Sequence, residues 1–413
     1  MRASNAGLAF MVALVWARAL TPKAFGAYSL AFSLVGLVSA LALLGLDQLT
    51  ARDLGILLHR RDWSHARVFL RWVARAAIAS SSAAVVITGL LLWWNPMGWP
   101  GDGRLAALWI LLGVPAVVFL RATRGAFQAA DRTAKGIFWE LPFWNGLLVL
   151  VGGAFWLSGA SVDGSTAAIA HAATAFVAAT LAIVSLARLR WPRAEPAREH
   201  HGAWIKAGFG FAMFAAVGLL LQQADILLLG AIGTQEEVGL YSIASRSAML
   251  VLIVLGPIQQ VLGPRLAKAW ASGEKDRAAG IARRAAQLGI VAGAGLLAFY
   301  LLFGRLFLHL FGAEYVDGAG ALRILALAQI SLLLLGPGAM ALAMTGAERL
   351  AALLNGVGLL LGLPVGYLLY QTHGIEGMAW GRLAVLATAG LATGLLAWRR
   401  MGRRIDPWAF GPA

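Results

Sequence analysis

The stretch F-G-A-Y-S-L-A-F-S-L-V-G-L-V-S-A-L-A-L-L-G-L-D-Q-L, Phe25 to Leu49, decides the fold class. It carries no charge before Asp47 and exceeds the ~20 residues that a helix needs to cross a ~30 Å hydrocarbon core. Comparable stretches recur at approximately Ala6 to Leu20, Val68 to Trp94, Arg104 to Gln128, Ile137 to Leu157 and Ser165 to Leu189. A second series runs from Trp204 to Ile232, Val238 to Gly263, Ile281 to Phe311, Ala319 to Met344, Leu350 to Tyr370 and Ile375 to Trp398. A transmembrane barrel would instead show alternating segments of ~10 residues. The expectation is an all-α membrane protein of about 12 transmembrane helices.

Composition agrees. Of 413 residues, 60% are hydrophobic and 13% charged, against roughly 25% charged in soluble domains, and the mean hydropathy is +0.75. The net charge of +15 does not mark a nucleic-acid binder, because the basic residues sit between apolar runs rather than on a soluble face. Without cysteine, neither a disulfide framework nor a Cys metal site is available. Phosphate-loop, zinc-protease and nucleophile-elbow motifs are missing, no carboxylate cluster suggests a metal, and no cofactor is expected.

Basic connections alternate with neutral or acidic ones. Arg60, Arg61, Arg132, Lys135, Arg188, Arg190, Lys268, Arg277 and Arg403 fall on one set, and Asp102, Asp163, Glu236, Glu314 and Glu376 on the other. The positive-inside rule then places both termini in the cytoplasm. Arg2 ahead of an apolar run imitates a signal peptide, but the repeat described next favours a retained first helix.

F-G-A-Y-S-L-A at Phe25 to Ala31 returns as V-G-L-Y-S-I-A at Val238 to Ala244, and the same spacing carries Arg52 onto Arg265. Two six-helix bundles related by an axis along the membrane normal are therefore expected, over residues 1–190 and 204–413. The Pro- and Arg-bearing segment 191–203 reads as a cytoplasmic linker.

Charged residues inside spans are costly and ask for a role. Ala215, Gly218, Gln222 and Asp225 form one small and polar stripe. It reads either as a cavity lining, with Asp225 a proton, cation or sugar contact, or as an interhelical hydrogen-bond cluster. Ser29, Ser33, Gly36 and Ala40 read as a close packing face. The same helix leads to Asp47, a further candidate for ion coupling or a partner for Arg52. Arg121, Arg124, Gln128, Asp131 and Arg132 cover one face, where guanidiniums suit an anionic substrate or snorkel to the headgroups, and Glu140 is placed to neutralise one of them. Arg246 is a candidate cavity residue or a countercharge to Asp225. His171 and Asn145 read as satisfied interhelical contacts, and Trp93, Trp94 and Trp99 as an aromatic belt.

The run Ala17 to Gly55, with Leu20, Pro22, Phe25, Gly26 and Tyr28 ahead of an Arg-bearing loop, resembles the opening of polysaccharide biosynthesis proteins. These are the O-antigen flippase type of the multidrug/oligosaccharidyl-lipid/polysaccharide exporter superfamily. Thr21 stands where that family usually has Gly, and the first helix is short. Ala224 to Ala244 is similar to the family's turn between the seventh and eighth helices, Asp225 included. The resemblance implies a transporter, not an enzyme, that flips an undecaprenyl-pyrophosphate-linked oligosaccharide by alternating access. Glycosyltransferases and a glycan polymerase would be its pathway partners. It further implies that Arg124 and Arg246 hold the pyrophosphate, with Gln222 and Asp225 on the polar head. An ion-coupled drug or metabolite exporter of the same superfamily is the alternative, and a membrane glycan polymerase or ligase is a third reading from a different class.

Overall fold

The computed structural model describes residues 2–96, 98–189, 218–250, 262, 265–335, 342 and 348–401. The described residues are almost entirely helical and hold no strand, and each of the twelve expected stretches is helical over most of its described part. By packing, the chain divides into two units, Ala3–Gly239 and Leu240–Ala413. The linker expected at 191–203 lies outside the described residues.

The first unit begins with α1 (Arg2–Ala19) and α2 (Pro22–Leu43). Thr21 accepts the Ala24 N–H and Pro22 occupies the first turn, where its missing donor costs nothing. The helix stops where Leu44 and Gly45 both turn left-handed, at φ 48° and 68°. The expectation of one helix through Leu49 is therefore corrected. Beyond the break lie α3 (Leu46–Leu49), a π-helical turn (Thr50–Leu54) and α4 (Gly55–His59).

Next comes α5 (Trp63–Trp94), whose 32 residues extend about 48 Å and so project beyond the hydrocarbon. Then α6 (Gly101–Leu111) and α7 (Val114–Ala129) meet at a 44° bend, so the fourth span is broken, with Pro115 in the first turn of α7. The fifth span joins α8 (Thr133–Phe138) to α9 (Trp144–Ser158) through a second π-helical turn, Trp139–Phe143, which contains Pro142. A proline inside a helix removes one backbone hydrogen bond, and widening to π geometry is one way to absorb that.

Alanines on α10 (Gly164–Ala187) explain the tight centre of this unit. Ala175, Ala178, Ala179 and Ala182 close against Ala116, Val117 and Leu120 of α7, with Trp139, Phe143 and Trp144 around them. In lipid there is little hydrophobic drive between helices, so small residues that let backbones approach supply the dispersion energy of association. Two helices then close the unit: α11 (Gly218–Ile232) and the first turn of α12 (Gln235–Ala248). Here Gly26 and Gly239, which correspond in the repeat, lie against each other. A methyl group at Gly26 would strike the Gln235 carbonyl, and one at Gly239 the Pro22 carbonyl.

The second unit contains the rest of α12, a short helix over 265–271, α13 (Lys275–His309), a 3-10 turn (Ala313–Gly318), α14 (Ala319–Leu335) and α15 (Glu348–Met401). At 54 residues α15 is too long for one crossing, and Gly374 at φ 54°, ψ −137° breaks it into an antiparallel hairpin. Gly358, Gly362 and Gly366, four apart, meet Ala389, Val385 and Gly381 in reverse order, so the arms touch almost backbone to backbone. This confirms two spans where the sequence has Leu350 to Tyr370 and Ile375 to Trp398.

Candidate functional site

A charged cluster lies inside the first unit. Arg124 on α7 donates from Nη2 to Asp47 Oδ2 at 2.8 Å and from Nη1 to Glu140 Oε2 at 2.7 Å. Arg121, one turn earlier, stands 3.6 Å from the other Glu140 oxygen. Only 7% of the Glu140 side chain and 12% of the Asp47 side chain meet the surface, so the carboxylates depend on the guanidiniums rather than on water.

Three local features bring these groups together. The left-handed pair Leu44–Gly45 turns Asp47 off the line of α2. Gly125 lets the α7 backbone press onto the Asp47 carbonyl, where a side chain would collide, and this brings the neighbouring Arg124 within reach. Glu140 belongs to the π-helical turn, whose wider winding sets its face apart from that of α8. Asp47 thus pairs with Arg124, whereas Arg52 pairs with its neighbour Asp53 at 2.6 Å. The alternative partnership of Asp47 with Arg52 is corrected: the adjacent carboxylate is nearer in chain and needs no folding back.

Two guanidiniums facing two carboxylates leave no surplus charge. An anion could bind here only by displacing a carboxylate or when one is protonated. Arg124 Nε is buried without a hydrogen-bond partner, leaving one donor direction unused.

The seventh-helix residues are spread out. Asp225 is buried at 3% exposure and accepts the Ile226 N–H at 3.0 Å, whereas Gln222 is exposed and Gly218 has open space beside it. Ala215 lies outside the described residues. The bridge from α11 to α2 is Gln223, whose Oε1 accepts the Ser33 hydroxyl at 2.9 Å. Sequence reasoning passed over Gln223 because it sits one residue off the polar stripe. Arg246 falls in the second unit, as does Arg382, buried at 5%. Gln128, Asp131 and Arg132 do not join the buried cluster; they line a cleft of about 620 Å³ with Gly55, His59 and Trp63.

A polar and aromatic group lies elsewhere in the unit. Tyr28 Oη and His171 Nδ1 are 3.0 Å apart, Trp144 Nε1 donates to Thr174 Oγ1 at 3.2 Å, and Trp16 stacks on Tyr28 with centroids at 5.7 Å. Through Nδ1, His171 thus makes an interhelical contact with α2. Trp99 is buried at 4%, which departs from the interfacial place expected of it, while Trp93 and Trp94 stand exposed at the end of α5. Among the described residues no group of three His, Asp or Glu side chains could hold a metal ion.

Residues 1–270 match the family described as polysaccharide biosynthesis protein, and residues 211–368 match the family described as MatE. No curated protein matches significantly. Among solved structures, an inward-facing multidrug resistance MATE transporter of the MOP superfamily superposes with a TM-score of 0.80 at 18% identity, covering 96% of this chain and 94% of that one. An outward-facing structure described in the same terms gives 0.65 at 16% identity, covering 97% and 93%. A MOP-superfamily transporter from Pyrococcus furiosus, described as having a binding pocket of reversed polarity, gives 0.60 at 16% identity with the same coverage. A twelve-helix fold shared with the transporters of the MOP superfamily, and a family match over well over half of its length, make this chain a multi-pass membrane protein belonging to the polysaccharide biosynthesis protein family.

Proposed function

We propose that the chain flips a lipid-linked oligosaccharide, an undecaprenyl-pyrophosphate glycan, from the cytoplasmic to the opposite leaflet of the cell inner membrane by alternating access. Arg121 and Arg124, drawn into the helical unit of a polysaccharide biosynthesis protein, carry the reading: guanidiniums inside a membrane bundle suit a phosphate-bearing head. The pyrophosphate would take the place of Glu140 on Arg121, the looser of the two contacts, while Arg124 keeps its hold on Asp47. Gln222, Asp225 and Arg246 are carried forward as contacts for the head, with Asp225 or Asp47 as the ion-coupling acid. Gln128 is carried forward at the edge of the same face. Glycosyltransferases would supply the substrate and a glycan polymerase would consume it.

The MatE match over residues 211–368 favours a second reading, an ion-coupled drug or metabolite exporter. The matched families and neighbouring folds are those of transporters, which speaks against a glycan polymerase or ligase.

Sealed vesicles containing the protein and a labelled undecaprenyl-pyrophosphate oligosaccharide separate the two. The flippase reading expects the glycan to become accessible on the opposite face, with the initial rate lowered about tenfold or more by Arg121→Ala, in line with the loss of a charge-assisted hydrogen bond. No movement of the glycan, together with extrusion of a cationic dye under a proton or sodium gradient, would transfer the assignment to the exporter.

A further inference from the structure

The second unit carries a basic cleft of about 670 Å³ between the helix at 265–271 and the start of α13. Its lining includes the cations Arg265, Lys268, Arg277 and Arg284 and the carboxylates Glu274 and Asp276. Glu274 is engaged by Arg277 at 2.9 Å. Arg265, Lys268 and Arg284 form no ion pair among the described residues, so the cleft keeps surplus positive charge.

Geometry adds to that charge. Gly273, at φ 75°, makes the tight turn that folds 265–271 back beside α13. The first turn of α13, where N–H groups point outward, borders the cleft, and this end of a 35-residue helix favours anions. The helix extends about 52 Å, well beyond a ~30 Å hydrocarbon core, so its charged first turns stand at or outside the headgroup level.

The repeat sets this cleft beside a counterpart in the first unit. The spacing that carries Arg52 onto Arg265 also carries Gly55, His59 and Trp63, which line the cleft of the first unit, onto Lys268, Ser272 and Asp276, which line this one. Two duplicated clefts thus share a frame, but the first is lined by one arginine, Arg132, beside Asp131, whereas Arg265, Lys268 and Arg284 converge on the second with no ion pair among the described residues. Arginines that merely anchored a helix to the headgroups would have no reason to converge on one concavity.

We propose that this cleft binds a phosphate group, taken either from an anionic lipid headgroup or from a soluble pyrophosphate-like anion. Arg265 and Arg284 offer planar pairs of donors, Lys268 a point charge, and the start of α13 its backbone N–H groups. The proposal does not depend on which substrate the chain transports.

The test uses the full chain in detergent and in nanodiscs. Labelled inorganic pyrophosphate is titrated by equilibrium dialysis, and retention of phosphatidylglycerol over phosphatidylcholine is read by native mass spectrometry. Replacing Arg265, Lys268 and Arg284 with Gln is expected to weaken binding about five-fold per cation. A control chain with Arg60→Gln, Arg61→Gln and Arg132→Gln loses as much charge from the first unit and is expected to bind normally. Pyrophosphate binding that displaces the lipid assigns the site to soluble anions. Lipid retention without pyrophosphate binding assigns it to headgroups. The proposal is overturned if neither probe binds, or if the control chain loses as much affinity as the cleft variant, since the attraction would then be diffuse.

Discussion

In the first unit Arg124 is held at 2.8 Å and 2.7 Å by two buried carboxylates; in the second, Arg284 stands exposed at the edge of a cleft with no ion pair among the described residues. Both arginines belong to long helices near their polar ends, and neither sequence neighbourhood distinguishes them. What separates them is the reach of acids from other elements. Asp47 and Glu140 arrive at Arg124 from two irregular segments, a left-handed break and a π-helical turn, and convert a cation into a structural tie. Among the described residues no such segment delivers an acid to Arg284. A guanidinium of the first kind can meet an anion only by giving up a carboxylate, whereas one of the second kind is open to it directly.

The largest expected effect breaks the first side of that contrast. Arg124→Ala strands two buried carboxylates and should cost about 3 to 5 kcal/mol, seen as loss of folded protein or a large fall in the unfolding midpoint in detergent. Adding Asp47→Asn and Glu140→Gln should restore much of it, and failure to do so would mean that Arg124 packs rather than pairs. Next in size, Gly125→Ala should cost about 1 to 3 kcal/mol by forcing α7 off the Asp47 carbonyl. An unchanged midpoint would show that the approach of α7 is not what positions Arg124.

Smaller still, Tyr28→Phe should remove about 1 kcal/mol by deleting the contact with His171, measurable as a modest drop in midpoint. Smallest, single Gln replacements of Arg265, Lys268 or Arg284 should leave stability within about 0.5 kcal/mol, because exposed unpaired cations hold nothing together. A drop comparable to that of Arg124→Ala would erase the distinction between the two regions.

Hydropathy made the helices legible because crossing a membrane imposes length and apolarity on every span. It could not show the break at Leu44–Gly45, since leucine and glycine there are as apolar as the helix they end. That break is why Asp47 was read as continuing the face of Ser29 and Ser33 and as a partner for Arg52. Glu140 as the neutraliser of the arginines was legible from its place just past their helix. The double bridge through Arg124 was not, because it depends on a π-helical turn that no periodicity announces. Gln223 escaped for a related reason: polarity beside Gln222 drew attention to one face, while the hydrogen bond to Ser33 uses the next. The paired glycines of α15, four apart in one arm and matched in the other, were present in the sequence, but which residues they would meet was fixed only by the turn at Gly374.

The meeting of Gly26 with Gly239 has a consequence for how variation accumulates in a duplicated chain. Each position owes its lack of a side chain to the backbone opposite, so the two sites guard a single gap. Once a methyl group at either has pushed the helices apart, a second at the other finds the room already made. The paired substitution Gly26→Ala with Gly239→Ala should then cost little more than either change alone, a positive epistasis that links the fate of two codons far apart in one gene.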